Sequence, residues 1–302
     1  MFYKDKAIAV IGSEGYIGKN LCSELISLGS RVIPYSKHNS ILNSIDFWDY
    51  FFKEKIDLIF YLAASESRDP IINQDLDVNA LGILYCLEKA KTLKIKPSII
   101  YTSTSNIAGL VKSLPVNEST LDNPQTIFAI HKLLAENYLN YYRKNFFIPS
   151  ISLRLSNIYG PSKDKNLSSR VVINKMILKA LSSNKIILYK NKDKARDFLF
   201  INDAIESILY AGEYCNKADS RFYVIGSGEE TTYQFIADKL IKLNKKFKNE
   251  SLSIELNRSK LMEVEMRDFL ADSNLFKSLT GWEVKYNFED GLEKTFTHFA
   301  NQ

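Results

Sequence analysis

Cysteine, histidine and long apolar runs are all scarce in this sequence. The three cysteines, Cys22, Cys86 and Cys215, lie far apart without a CxxC pair, and none of the three histidines has metal-ligand spacing. This argues against a bound metal and a disulfide framework, and it favours free thiols in a reducing compartment. No run of about 18 apolar residues could form a membrane-spanning helix, and the first residues lack the apolar region of a signal peptide. We therefore expect a cytoplasmic protein that binds neither a metal nor a membrane.

The net charge of the chain is only +5, but the charge is unevenly distributed. The segment 163–196 contains ten lysines and arginines and only two acidic residues. A positive field of this kind raises the local concentration of an anionic ligand such as a diphosphate. The alternative is a solvated basic face. Because basic and aromatic residues do not interleave as in a nucleic-acid-binding module, nucleic acid is not expected as a partner.

Short apolar segments alternate with segments of helical periodicity along the 302 residues. Ala7–Ile11 and Leu58–Leu62 are continuous apolar runs, which is typical of strands buried on both faces of a sheet. A second strand is predicted at Arg31–Ile33, between these two, and helices are predicted at about residues 17–28, 47–55, 73–93 and 124–144. This alternation predicts the α/β class, with a doubly wound parallel sheet and helices on both of its faces.

A glycine motif, Gly12-Ser-Glu-Gly15-Tyr16-Ile17-Gly18, follows the first predicted strand and opens the first predicted helix. Its glycines permit a tight turn and close approach of a pyrophosphate, whose charge the helix N-terminus stabilises. At this position the motif predicts a dinucleotide-binding site. The spacing GxxGxxG differs from the GxGxxG of ordinary Rossmann dehydrogenases.

Further motifs follow downstream in a fixed order. They are Leu62-Ala63-Ala64, Asn79-Ala-Leu-Gly82, Tyr101-Thr-Ser-Thr104-Ser105, Pro124-Gln-Thr-Ile-Phe128-Ala-Ile-His-Lys132, Leu153-Arg-Leu-Ser-Asn157-Ile-Tyr-Gly-Pro161, Arg196-Asp-Phe, Ile225-Gly-Ser-Gly228 and Gly281-Trp282. With the glycine motif, they resemble the extended short-chain dehydrogenase/reductase family, of the NAD-dependent epimerase/dehydratase type that acts on nucleotide sugars. The resemblance covers almost the entire chain.

The resemblance implies a two-part molecule. Residues 1–158 and about 198–226 are expected to form the NAD(P)-binding Rossmann domain, and about 159–197 and 227–302 a smaller mixed α/β lobe that binds the substrate. It also implies a homodimer through two helices per subunit, over residues 79–93 and 133–142. Leu84, Leu87, Leu134 and Tyr138 are the apolar residues expected in that interface.

The resemblance also assigns catalytic roles. Hydride transfer at a sugar carbon needs a group that takes up or returns the hydroxyl proton, and a tyrosine does so when a nearby lysine lowers its pKa. A tyrosine and a lysine four residues apart share one helix face, so one lysine can serve both the phenol and the cofactor ribose. By resemblance, Lys132 is this lysine, Thr104 is the hydroxyl that completes the hydrogen bonding, and position 128 is that of the tyrosine.

Position 128 departs from the family pattern because it is phenylalanine, which has no proton to exchange. Two explanations remain open. The phenylalanine is an engineered substitution that removes the tyrosine hydroxyl, or the chain is a natural family member that has lost this activity or uses another residue for it. The retained Thr104, Lys132, Asn157 and Arg196 favour the first. His131 is a weaker candidate acid/base, since an exposed or capping helix histidine is the expected alternative.

The reaction and the cofactor are constrained by two further departures. Family dehydratases carry an Asp-Glu pair after the active-site threonine, whereas this chain has Ser105-Asn106, so epimerisation or ketoreduction at C4 of the sugar is favoured over dehydration. The second predicted strand ends in Tyr35-Ser36-Lys37-His38, without an acid to bind a ribose 2′-hydroxyl. This favours NADP over NAD, with Ser36 and Lys37 as contacts, and modestly favours a ketoreductase over an epimerase with tightly held NAD.

The expected substrate is a nucleotide-diphosphate sugar, whose base and sugar the sequence does not define. By resemblance, Asn157 hydrogen-bonds the diphosphate and Arg196 binds it with its planar guanidinium. Arg267 is a further candidate ligand of the diphosphate or nucleoside. A non-catalytic NAD(P)-binding sensor or scaffold, marked by Phe128, is the alternative from another functional class.

Overall fold

The structure is a computed structural model that describes residues 2–36, 42, 44–65, 74–162, 164, 167 and 171–302. Its strands β1 to β11 are Ala7–Ile11, Arg31–Tyr35, Leu58–Tyr61, Ser98–Thr104, Ser150–Leu155, Asn157–Tyr159, Lys185–Leu188, Arg196–Phe200, Tyr223–Ile225, Glu230–Thr231 and Ser253–Leu256. Its helices α1 to α10 are Tyr16–Ser27, Ile45–Phe51, Gln74–Leu76, Gly82–Thr92, Ile127–Phe146, Val172–Ser183, Ile201–Tyr214, Tyr233–Lys248, Asn274–Thr280 and Phe288–Ala300. None of the described helices is long and apolar enough to cross a membrane.

Six parallel strands form the central sheet, in the order β2-β1-β3-β4-β5-β9. The doubly wound parallel sheet predicted from the sequence is therefore confirmed. Strand order reverses between β1 and β3, and ligands of open α/β sheets bind at the carboxyl ends of the strands beside such a switch point.

Residues of the central strands alternate between two hydrophobic clusters, one on each face of the sheet. Ile8 and Val10 of β1 belong to one cluster, whereas Ala9 and Ile11 belong to the other. The same alternation holds along β3. This arrangement explains the continuous apolar runs, because a strand covered on both faces has no side that can be polar.

The C-terminal half adds two small sheets, β10-β8-β6 and β11-β7. Its buried residues Tyr159, Phe198, Trp282 and Phe296 belong to the same cluster as Val10 of the central sheet. Strand β6 begins directly after β5, and β9 of the central sheet lies between α7 and β10 in the chain. The division into a cofactor domain and a substrate lobe at the predicted boundaries stays a prediction.

Three predicted helices differ from the structure in their boundaries or continuity. The helix predicted at 47–55 is Ile45–Phe51, and the one predicted at 124–144 is Ile127–Phe146. The latter begins later because the Thr126 hydroxyl accepts a hydrogen bond from the Ala129 amide and caps the helix.

The helix predicted at 73–93 is interrupted. It consists of α3, a π-helical turn at Asp77–Leu81 and then α4, while residue 73 lies outside the described residues. The Tyr61 hydroxyl donates to the Val78 carbonyl (2.9 Å), and the Gly82 amide donates to Asp77 instead. A side chain that takes a helix carbonyl in this way is a recognised cause of a break in the regular helix pattern.

A buried ion pair joins α5 to the central sheet. Glu136 on α5 is fully buried and accepts hydrogen bonds from the Ser103 hydroxyl on β4 and the Arg154 guanidinium on β5, at 2.7 Å for the closest Arg154 nitrogen. Asp122 also pairs with Arg154 (2.7 Å). The orientation of α5 against the ends of β4 and β5 therefore depends on Glu136.

We expect Glu136→Gln to lower the free energy of unfolding by about 3–5 kcal/mol, because it removes one partner of a buried charge. Chemical denaturation measures this change. Glu88, whose side chain is 40% exposed and pairs with Lys91 on α4 (2.6 Å), provides the control. Glu88→Gln should cost less than about 1 kcal/mol, and equal losses for both variants would show that Glu136 does not have this role.

Candidate active site

The glycine motif forms a tight turn at the carboxyl end of β1. Gly12 has a φ of 91°, and a Cβ there would lie 2.7 Å from the Ala63 amide nitrogen. A Cβ at Gly18 would lie 2.1 Å from the Gly12 carbonyl oxygen. No side chain larger than hydrogen fits at either position without movement. The turn therefore presents bare backbone at the switch point of the sheet.

Helix α1 starts directly after this turn, with Gly15 as its N-cap and no acidic residue in its first turn. Exposed amides at such an N-terminus stabilise a phosphate charge. The Leu62 amide donates to the Ile11 carbonyl (2.8 Å), which brings the Leu62-Ala63-Ala64 segment beside the turn. These residues fit the pyrophosphate of a dinucleotide.

Two residues inside the motif connect the turn to other parts of the molecule. The Tyr16 hydroxyl donates to the Gly160 carbonyl (2.9 Å) in the segment that follows β6. Ile17 packs against the hydrophobic cluster that includes the C-terminal half. The turn thus rests on residues predicted to belong to the substrate lobe.

Only part of the predicted adenosine contact lies in the described structure. The Tyr35 carbonyl at the end of β2 accepts hydrogen bonds from the Gly12 and Ser13 amides (2.8 and 3.1 Å), and Ser36 beside it is buried. Lys37 lies outside the described residues, so its contact with a 2′-phosphate stays a prediction.

The catalytic candidates meet at the carboxyl end of β4. Thr104 is the last residue of β4, and its hydroxyl oxygen accepts a hydrogen bond from the backbone amide of Asn106 (3.2 Å). The Lys132 ammonium on α5 donates to the Thr102 carbonyl (2.8 Å) and lies 5.8 Å from the centre of the Phe128 ring. The structure therefore brings Thr104, Phe128 and Lys132 into one region.

Arg196 lies at the start of β8 and is largely buried. Its guanidinium donates to the backbone carbonyls of Ala195, Glu265 and Arg267. Arg267 in turn donates to the Gly109 carbonyl and to the Asn106 side-chain oxygen (2.9 Å). The two predicted substrate-binding arginines are thus neighbours, and Arg267 reaches the loop that follows β4.

Asn157, the fourth predicted substrate residue, begins β6. Its side-chain amide donates to the Asp197 carbonyl (3.1 Å), next to Arg196. Together with Val172 and Phe198, it lines a cavity of about 200 Å³. One residue of the cavity wall therefore contacts the backbone of the residue after Arg196.

The comparisons with known proteins identify the family. The sequence pattern of the NAD dependent epimerase/dehydratase family matches residues 8–226. The chain belongs to this family. A UDP-glucose 4-epimerase of Mycolicibacterium smegmatis is 26% identical over 322 residues, which cover 97% of this chain and 98% of that protein.

Two solved structures show the same fold as this family member. The UDP-glucose 4-epimerase of Thermotoga maritima with UDP-glucose has a TM-score of 0.84 at 24% identity, covering 98% of this chain and 99% of the other. The RMD protein of Pseudomonas aeruginosa complexed with NADPH has a TM-score of 0.81 at 21% identity, again covering 98% and 99%.

Phe128 departs from the family motif, and Ala108 departs as well, because the motif after the active-site strand usually has a tyrosine at that position. The Phe128 ring lies beside the Lys132 ammonium but offers no proton. Ala108 is buried in a small apolar cluster that includes Phe222, Val224 and Phe269. Arg68, a third departure, lies outside the described residues.

His131 is not the exposed or capping residue expected from the sequence. It is half-buried, and its Nδ1 atom is enclosed without a hydrogen-bond partner among the described residues. Burial lowers the pKa of His131, whereas the Asp75 carboxylate acts in the opposite direction. The sequence held no signal for this burial, because it depends on the short helix α3 packing against α5.

Lys132 has an unusual charge balance. It is 2% exposed, and burial lowers its pKa to about 7, while the Glu136 carboxylate one turn further along α5 raises it. The ammonium also lies 4.3 Å from the centre of the Tyr101 ring. Near neutral pH, this lysine is therefore close to the midpoint between its charged and neutral forms.

The low pKa of Lys132 has a consequence for stability. Its pKa lies below the value of 10.5 expected for the unfolded chain, so the unfolded chain binds more protons between these values. Burial of Lys132 therefore destabilises the folded protein. This destabilisation is complete below about pH 7 and is lost as the pH rises toward 10.5. Between pH 8 and 10, the contribution of Lys132 should raise the free energy of unfolding by up to about 1.4 kcal/mol per pH unit.

Urea denaturation of the cofactor-free protein between pH 7 and 9.5 measures this contribution. The variant Lys132→Met should lose the extra slope, whereas Lys144→Met, at an exposed position of the same helix, should keep it. Identical pH profiles for the unchanged protein and Lys132→Met would contradict the assignment.

Proposed function

We propose that this chain is a nucleotide-sugar oxidoreductase of the epimerase/ketoreductase type, which acts at C4 of the sugar by hydride transfer with NAD(P). The observation that carries the proposal is that Lys132 binds the Thr102 carbonyl two residues before Thr104, at the carboxyl end of β4. The glycine turn lies at the carboxyl end of β1 in the same parallel sheet. Ligands of this fold bind at the same edge.

In the proposed site, Gly12, Gly15 and Gly18 hold the cofactor pyrophosphate at the N-terminus of α1, and Leu62-Ala63-Ala64 line the adjacent wall. Lys132 holds the nicotinamide ribose. When bound, the nicotinamide takes up or supplies the hydride. We favour NADP because the end of β2, Tyr35-Ser36, provides no acidic side chain to repel a 2′-phosphate; NAD is the alternative.

The substrate part of the site is proposed at the cavity beside Asn157. Arg196 and Asn157 bind the diphosphate, because a guanidinium and an amide donate to phosphate oxygens. The basic character of the segment 163–196 supports an anionic ligand. Thr104 hydrogen-bonds the reacting oxygen of the sugar.

Dehydration is disfavoured by the residue at position 106. Elimination of a hydroxyl group needs a proton donor, and the Asn106 side-chain oxygen instead accepts a hydrogen bond from Arg267 (2.9 Å). Ketoreduction or epimerisation at C4 needs no such acid. We place the ketoreductase first and the epimerase with tightly held NAD second.

Phe128 supports a second candidate function. Without the phenol, the described site lacks the family's proton-exchanging group, which is what a non-catalytic NAD(P)-binding sensor or scaffold would show. Lys132 and Thr104 remain in place, so binding of cofactor and substrate is expected in either case.

Substitution of position 128 distinguishes the oxidoreductase from the non-catalytic sensor or scaffold. We expect the unchanged chain to turn over very slowly and Phe128→Tyr to gain about 10²–10⁴-fold, which is the usual contribution of one positioned acid/base. Turnover is followed by NADPH or NADH absorbance on 4-keto and 4-hydroxy nucleotide sugars, which also compares the cofactors. Phe128→Leu, which adds no hydroxyl, is the matched control.

Three outcomes of this assay are decisive. A gain for Phe128→Tyr alone supports the proposed mechanism. A normal rate for the unchanged chain would place the acid/base elsewhere. No gain on any substrate, with cofactor still bound, would favour the sensor or scaffold.

We also propose a homodimer through α4 and α5. Ile127, Ile130 and Tyr141 are 48%, 50% and 54% exposed, and they form one stripe along α5 with the partly buried Leu134 and Tyr138. Leu87, also expected in the interface, is fully buried within the subunit and cannot contribute. It faces inward because α4 packs on the sheet through this side.

Light scattering should give twice the chain mass of 34.6 kDa. Ile130→Glu should shift the protein to the monomer mass, because a charge in the centre of an apolar interface is costly. Ile26→Glu, at an exposed position of α1, should leave the mass unchanged. A monomer mass for the unchanged protein would disprove the dimer.

A further inference from the structure

Helices α4 and α5 both end at the amino edge of the central sheet, because the parallel strands β4 and β5 begin shortly after them. The proposed site lies at the opposite, carboxyl edge. The Lys91 ammonium near the end of α4 lies 5.1 Å from the centre of the Phe146 ring at the end of α5. The Lys96 ammonium lies 5.3 Å from the centre of the Phe147 ring. The segments that follow the two helices therefore form one continuous surface.

Three large apolar side chains are exposed on this surface. Phe147 is 70% exposed, Leu93 is 44% exposed and Ile95 is 37% exposed. None of the three belongs to the stripe along α5 that is proposed for the dimer. Single exposed apolar residues are ordinary, whereas neighbouring ones are typical of interaction surfaces. This surface is therefore a candidate for contact with another molecule.

The backbone at this surface is unusual. Lys94 and Phe147, which follow α4 and α5, both have a φ of 56°. Large side chains rarely adopt this left-handed conformation, and glycine or asparagine usually ends a helix in this way. The described helices that end so elsewhere are followed by Gly29, Asn184, Asn249 and Gly281. Since the left-handed conformation costs free energy for other residues, the fold alone does not explain the lysine and the phenylalanine.

The same two segments carry only positive charge. Residues 91–97 and 141–149 contain four lysines and one arginine and no acidic residue. Lys94, Lys96 and Lys144 are exposed and have no ion pair among the described residues. The negative end of a helix attracts such charges, but Lys96 lies beyond the end of α4. Together the exposed side chains form the basic apolar patch, which consists of Leu93, Lys94, Ile95, Lys96, Lys144 and Phe147.

We propose that the basic apolar patch binds the surface of a membrane that contains anionic lipids. Phe147 and the two aliphatic side chains enter the interface between water and lipid, and the lysines contact the negative headgroups. Apolar burial and electrostatic attraction add in such binding. Because the patch lies at the amino edge of the sheet, the proposed site at the carboxyl edge stays open to its ligands.

Surface binding needs no membrane-spanning helix. The sequence-based expectation that the protein binds no membrane followed from the lack of a long apolar run. Such a lack excludes a helix that spans the bilayer, but it does not exclude a contact with the lipid headgroups. The proposal goes beyond the proposed function and does not depend on the reaction that the site catalyses.

Sedimentation of the full chain with lipid vesicles tests the proposal. Vesicles of equal parts phosphatidylglycerol and phosphatidylcholine should bind the protein at least about tenfold more strongly than vesicles of phosphatidylcholine alone, because each lysine near an anionic surface contributes about fivefold. Raising the salt from about 0.1 M to about 0.5 M should remove most of this difference, since salt screens exposed charges. This comparison needs no variant.

Variants then assign the binding to the patch. The triple substitution Lys94→Gln, Lys96→Gln and Lys144→Gln should weaken binding to the anionic vesicles by at least about tenfold. Phe147→Ser should weaken it by about tenfold, because an aromatic side chain no longer enters the interface.

Matched controls change the same residue types in the C-terminal half. The triple substitution Lys242→Gln, Lys245→Gln and Lys260→Gln removes the same charge from exposed positions. Phe247→Ser removes a ring that is 41% exposed and lies 5.4 Å from the Lys246 ammonium. Both controls should bind the anionic vesicles within about twofold of the unchanged protein, because these residues lie outside the patch.

Four results would overturn the proposal. The first is equal binding of the unchanged protein to both kinds of vesicle, or to neither. The second is equal weakening by the two triple substitutions, which would show an effect of net charge alone. The third is retention on immobilised polyglutamate without vesicle binding, which would favour an acidic protein partner. The fourth is a change from dimer to monomer mass in light scattering of Phe147→Ser, which would place the patch in the subunit interface.

Discussion

The buried pair of Glu136 and Arg154 is the contact on which the candidate site depends. It joins α5 to β4 and β5, and Lys132 lies one turn before Glu136 on the same helix. Because a helix is rigid over one turn, the position of Glu136 fixes where Lys132 meets the Thr102 carbonyl. The same carboxylate partly offsets the burial of the lysine charge. One residue therefore sets both the place and the charge state of another.

The positive charges in this site are only partly compensated by carboxylates. Lys132 is buried, and Arg196 and Arg267 direct their donors at backbone carbonyls and one amide side chain. Such groups are strongly desolvated and poorly neutralised, which costs stability in the free protein. An anionic ligand would recover that cost on binding, so the arrangement favours a diphosphate-containing ligand over a neutral sugar.

The fold was largely predictable from the sequence because its signals are local. The run Ala7–Ile11 and the glycines after it define a buried strand and a turn within a dozen residues, and the structure has both. Helix ends were less predictable. The π-helical turn at Asp77–Leu81 arises because a tyrosine from a distant strand, Tyr61, takes a carbonyl of the helix.

The site was only partly predictable, because contacts between residues that are distant in the sequence leave no local signal. Motifs placed Thr104 and Lys132, since their spacing is a property of one strand and one helix. The burial of Glu136 was not visible, because a glutamate in a helix is usually solvated and its partner Arg154 lies on another element. The contact of Arg267 with Asn106 joins residues 161 positions apart, so no local sequence pattern predicts it.

One hydrophobic cluster includes residues of the central sheet, such as Val10, and residues of the C-terminal half, such as Phe198, Trp282 and Phe296. The C-terminal half is therefore not a module that could be exchanged between relatives by joining chains at one boundary. Cutting there would expose apolar surface on both pieces. Heating should therefore melt both halves in a single cooperative transition.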